Sequence, residues 1–330
     1  ADGFNTAVGC ESGKTMTTAV QNTLIGGLAG DAVTTGSQNV ALGYNTLGSN
    51  TIGNSNIAIG HLALTTNVAA DRNVAIGINA LAVMTSATTA DTYNTAVGYN
   101  AGAAVTTGIR NTLIGGLAGD SLTTGNFNTA LGYAALSTED AHGGNVAIGY
   151  NALATLNAGG DAYNTAVGHN SGQLISTGTD NTIVGGQAGD ALTTGAKNTL
   201  VGRSAGGALI TGTHNTVLGS GALATEDGHG FNVAIGTSSL AVQNAGASGL
   251  NVAVGHNSGL AVTQGVKNTL IGAYAGDALT TGDNNIVIGH EAAAAGVGVD
   301  NTTVIGTTAT THALVHGLKQ PVIAASANVA

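Results

Sequence analysis

Two stretches of the chain hold residues that could do chemistry, and they are nearly the same stretch. STEDAHGGNVAIG at 137–149 returns as ATEDGHGFNVAIG at 224–236, 87 residues later. Glu139, Asp140 and His142, matched by Glu226, Asp227 and His229, are the right types for a divalent metal or an acid–base pair. No nucleophile accompanies them. The NTAVGHNSG unit at 164 also returns, as NVAVGHNSG at 251, again 87 residues on, so duplication of a larger block accounts for the recurrence without chemistry. GGLAGD (26–31 and 115–120) and GGQAGD (185–190) approach the calcium-binding nonapeptide G-G-x-G-x-D, but with Ala in fourth place. Asp31, Asp120, Asp190 and Asp277 also miss successive repeats, whereas that calcium site shares ligands between adjacent turns. They read as turn caps. His61, His169, His256 and His290 recur at one place after a Gly, as do Tyr44, Tyr99, Tyr133 and Tyr150. These read as exposed turn residues, isolated within one chain and able to meet counterparts only in an oligomer. The reading is a non-enzyme with no catalytic residue, no metal and no cofactor.

What must position all of these is a repeat. An N-[TVI]-x-[VIL]-G unit starts at Asn5 and recurs through Asn285, with a variant eighteenth unit placed at Asn301. Thirteen of the seventeen spacings are 17 residues; the others are 21 (Asn73 to Asn94), 19 (Asn145 to Asn164 and Asn232 to Asn251) and 16 (Asn285 to Asn301). The residue after the Asn is β-branched and the third is Val, Ile or Leu, the period-two signature of a short strand. The Gly that follows marks a turn where a side chain would be strained or would clash. A second strand is expected later in each repeat. Position seven is small there (Ala29, Ala63, Ser171, Ala205), and position eight is Gly or Leu in the first sixteen repeats. With Gly at eight, position eleven is apolar (Val33, Leu122, Leu192, Leu279); with Leu at eight, position eleven is usually polar (Asn50, Glu139, Glu226, Gln243). Such reciprocity fits a core filled to constant density, which requires the repeats to stack. Identical Asn residues one strand spacing apart can then form an amide ladder. The fold expected is all-β, a parallel β-solenoid of about 18 coils with a 17-residue period, about 80 Å long.

Composition agrees. The 330 residues include 54 Gly, one Pro and only 24 charged side chains, but 43% are hydrophobic, too many for a disordered chain. A net charge of −10, with seven basic residues scattered along the sequence, argues against wrapping nucleic acid. No apolar run is long enough for a membrane span, and Cys10 stands alone. The first residue is Ala1, so the chain reads as a processed piece of something longer.

Position two of each unit should face away from positions one and three. It is apolar in seventeen of eighteen repeats, and Leu24, Leu113, Ile183, Leu200, Val217 and Leu270 are taken as the interface of an oligomer. The long repeats must bulge from a regular rod, which makes Asp91, Tyr93, Asp161, Tyr163, Asn244 and Ser248 the candidates for receptor contact.

The units NVAIG at 73–77, 145–149 and 232–236, with NTTVIG at 301–306, resemble the head repeats of trimeric autotransporter adhesins. They resemble more closely the NTAVGYNAG-type repeats (here 94–102) of bacteriophage tail fibres, which often precede a C-terminal self-cleaving chaperone domain. The resemblance implies a homotrimer wound as a left-handed parallel β-roll, with the VAIG strand at the trimer interface. It implies a structural and adhesive segment of a phage tail fibre, located in the virion, that holds or contributes to receptor binding. The partner would be a host surface glycan or envelope protein. The alternative is a bacterial cell-surface trimeric adhesin or extracellular filament subunit. An ice-binding solenoid ranks behind both, because the Thr pairs (Thr34 with Thr35, Thr123 with Thr124, Thr193 with Thr194) are adjacent and face opposite ways. Residues 1–300 form the expected rod, and 301–330, with the single Pro321, a terminal coil and a cap or transition segment.

Overall fold

The computed structural model describes residues 3–85, 90–139 and 141–310. Eighteen strands of three residues run from β1 (Thr6–Val8) and β2 (Thr23–Ile25) to β18 (Thr303–Ile305), one per coil. Each pairs in parallel with the strand of the next coil, with identical positions opposed: Thr182, Ile183 and Val184 face Thr199, Leu200 and Val201. Among the described residues there is no helix, so none long and apolar enough to cross a membrane.

Three columns hold the stack together. The Asn residues form one. The Oδ1 of Asn164 accepts the backbone N–H of Asn181 at 3.0 Å and its Nδ2 at 3.1 Å, and that Nδ2 also donates to the carbonyl of Gly195 at 2.9 Å. The pattern recurs along the rod, and the Asn residues from Asn22 to Asn285 are buried. In the last coil Thr302 takes the place of Asn: its N–H and Oγ1 both donate to Asn285 Oδ1, at 3.0 and 2.7 Å. This corrects the variant repeat. It begins at Thr302, 17 residues after Asn285, with Thr standing in the place of Asn, and not at Asn301.

Glycine makes the second column. Gly185 has φ +135°, and a Cβ there would overlap the carbonyl of Gly202 in the next coil. Conformation and contact therefore both demand Gly.

The third column is the core. Positions seven, eight and eleven point inward as expected, with Ala29, Leu47, Val33 and Leu122 fully buried. Where position eight is Gly, the space is taken by a neighbouring Leu: a Cβ on Gly30 would meet both Cδ atoms of Leu24. The second strand does not form. This stretch is a run of turns in which residues such as Asn45, Leu47 and Leu64 have φ near +50 to +60°. It still bonds from coil to coil, as Leu47 N–H to Ala63 O at 3.1 Å.

The face assignment is the main correction. Leu24, Leu113, Ile183, Leu200, Val217 and Leu270, taken as an oligomer interface, are fully buried inside their own chain. The outward side chains are those of positions one and three. The physical reason is the Asn column: it must lie inside to bond to carbonyls of the next turn, and position two shares its side of the strand. Residues 311–330, read as a cap or transition segment, lie outside the described residues.

Candidate functional site

Turning the strand over exposes a surface quite unlike the expected one. Position one is Thr, Val or Ile and position three is Val, Ile or Leu in all eighteen coils, so the outer face of the sheet carries no charge along its whole length. Ile25, Leu42, Leu131, Leu218, Ile271 and Ile305 are exposed there.

One edge of this face is a column that sequence reasoning missed. The residue before each Asn has a positive φ in every coil, between 46° and 76°. Gly and Asn tolerate that conformation best, yet only Gly144, Asn284 and Asn301 are of those types. The column instead holds all three Phe residues of the chain (Phe4, Phe127, Phe231) and four of its seven Lys and Arg residues (Arg72, Arg110, Lys197, Lys267). Basic residues that look scattered in sequence thus share one line on the rod. The guanidinium of Arg72 lies 5.7 Å from the ring centre of Tyr93, and that of Arg110 lies 5.4 Å from Phe127. The rings of His214 and Phe231 stack at 4.9 Å. Tallying the residue before each Asn would have exposed this column in the sequence.

Four of the six receptor-contact candidates fall on or beside it. Tyr93 and Tyr163 are members. Tyr93 Oη donates to Asp91 Oδ2 at 3.1 Å, and Asp91 pairs with Arg72. Tyr163 Oη donates to Asp161 Oδ2 at 3.4 Å, while Asp161 Oδ1 accepts the N–H of Gly143 at 2.9 Å. Asn244 and Ser248 are exposed, on the outside of the third long coil.

The other edge carries the position-five residues, which are not isolated. Tyr44 stacks on His61 at 5.7 Å, and Tyr133, Tyr150 and His169 form a continuous stack at 5.7 and 5.2 Å. The doubled Gly of GGLAGD belongs here too, since Gly27 and Gly116 lie beneath the rings of Tyr44 and Tyr133. Asp31, Asp120, Asp190 and Asp277 sit on coils four or five apart and do not meet. Burial holds the carboxyls of Asp120 and Asp190 above the usual range, against the pull of neighbouring backbone N–H groups.

Glu139 and Glu226 are fully buried, each against the His three residues on: Oε1 lies 3.1 Å from His142 Nδ1 and 3.0 Å from His229 Nδ1. Burial raises the Glu139 carboxyl, and the N–H and ring of His142 lower it in part.

No family model matches the chain, and no curated protein matches it.

Proposed function

We propose that the chain is a structural and adhesive rod of a surface fibre, with a phage tail fibre as the first reading and a bacterial surface adhesin as the alternative. It assembles with copies of itself, three in the fibre reading. The observation that carries this is the uncharged outer face of the sheet. Eighteen strands spaced about 4.8 Å apart and about 10 Å long give a strip near 800 Å² per chain, the size of one partner's share of a stable interface. A second copy offers the same aliphatic strip, and in-register association would leave the two edge columns at its margins. The stacked cations and aromatics before each Asn would then remain available to a receptor, a host glycan or an envelope protein.

Light scattering coupled to size exclusion tests the assembly. The expected mass is three times 31.7 kDa. Leu131→Lys combined with Leu218→Lys places two charges on the outer face without touching the core, and should leave a folded monomer. A wild-type chain that is monomeric at micromolar concentration overturns the reading. If that monomer also showed thermal hysteresis, the flat outward array of Thr, Val and Ile would be an ice-binding face.

A further inference from the structure

Glu139 and Glu226 share a feature that the rod does not need. Where position eleven is Asn, the side chain caps the N–H three residues on with every polar atom engaged. Asn50 Oδ1 accepts the N–H of Gly53 at 3.0 Å, while its Nδ2 donates to the carbonyl of Gly53 at 3.1 Å. Asn67 does the same with Ala70. Glu226 keeps only half of this arrangement. Its Oε1 accepts the N–H of His229 at 3.1 Å, while its Oε2 is buried with no hydrogen-bond partner. Glu139 repeats the pattern, with His142 N–H at 3.0 Å and an unpartnered, buried Oε2. A buried carboxylate with an unused oxygen is costly unless something positive satisfies it, and neither Glu pairs with a Lys or Arg among the described residues.

Beside Glu226 the remaining donors are already gathered. An oxygen of Glu226, an oxygen of Asp227 and a ring nitrogen of His229 lie within 4.8 Å of one another. Glu226 is fully buried, while Asp227 and His229 are partly exposed, so the cluster opens to solvent on one side only. Ligands about 2.0–2.2 Å from a tetrahedral centre stand roughly 3.4 Å apart, so binding would draw this set together. Two carboxylate oxygens, one imidazole nitrogen and an open position for water suit zinc better than calcium, which takes six to eight oxygens.

We propose that Glu226, Asp227 and His229 bind a divalent ion of the zinc type. The site stands in the coil just before the 19-residue coil Asn232–Leu250. The ion would therefore staple the turn beneath that bulge. The inference does not depend on the fibre reading.

Titration calorimetry of the full chain, stripped of metal and then given zinc chloride, tests it. Cobalt chloride provides a second readout through the visible absorption of a tetrahedral site. His229 is partly exposed, so alanine there spares the core, and circular dichroism checks the fold of the variant. One ion per chain is expected, and none in His229→Ala. Failure of the folded wild-type chain to bind, or a stoichiometry unmoved in His229→Ala, would overturn the proposal.

Discussion

Asn164 and its successors show how one side chain can fix a register. The Oδ1 of each takes the backbone N–H of the next Asn, and in most coils its amide N–H as well, so a shift of one residue would strand buried donors in every coil. The opposite case, a buried polar group left incomplete, is Glu139. Its carboxyl is held above the ordinary value of 4.5 chiefly by burial, so the folded chain binds a proton more tightly than the unfolded one. Its stabilising contribution is complete below about pH 4.5 and is lost as pH rises through the folded value. In metal-free buffer, Glu139→Gln should raise stability at pH 7 by about 1 kcal/mol, because it removes the buried charge while the side-chain oxygen can still accept the His142 N–H. It should also flatten the pH profile above 4.5. Urea unfolding from pH 4 to 8 checks this, and a slope identical to that of the wild type would count against it.

At the scale of the coil, most of the architecture is legible in the sequence. The Asn and Gly columns announce the period, and the exchange between positions eight and eleven announces a shared core. The side of the strand that faces inward was harder to read, because positions one, two and three are all apolar or β-branched and a three-residue strand offers no longer alternation. The signal lay in side-chain size. Position two is Leu or Ile only where position eight is Gly, as in Leu24 with Gly30 or Ile183 with Gly189, and is Ala in six of the seven coils where position eight is Leu. Such compensation marks a buried position, whereas position three is large in every coil and compensates for nothing. The second strand was overcalled for another reason. Positive φ at Leu and Asn residues leaves no compositional trace of the kind Gly would leave. The coil is also the natural unit of change. Deleting residues 181–197 should bring the coil of Asn164 against that of Asn198 with every column aligned and the pattern of inter-coil bonds intact. Deleting 181–198 instead leaves the junction one residue short, which no coil of this chain is, so it cannot be absorbed as a bulge and should misplace the columns at the junction. Thermal melts followed by circular dichroism should show a transition within a few degrees of wild type for the first and a lost or broadened one for the second. Equal melts for the two would refute the register argument.

Across the whole molecule, every strand touches only the strands of adjacent coils, so stability is a chain of nearest-neighbour terms. The consequence of a defect then depends on where it falls. Gly185→Ala forces a side chain into a conformation reserved for Gly and against the carbonyl of Gly202, at a local cost of about 3 kcal/mol. The same exchange at Gly26, one coil from the start of the sheet, meets the carbonyl of Gly43 in the same way. The residue-level insult is equal in the two variants, but its reach is not. Near the end of the stack, the short flank of Gly26 can fray while the long one holds. In the middle, Gly185 divides the rod into two blocks, each long enough to persist, that lose their coupling. Hydrogen exchange by mass spectrometry should therefore show protection lost only in the first two coils of Gly26→Ala. In Gly185→Ala, exchange should rise around residues 182–202 and remain slow near Asn73 and Asn268 alike. Uniformly faster exchange along the rod in Gly185→Ala would mean that the eighteen coils unfold as one cooperative unit, with coupling between coils far stronger than their individual stabilities.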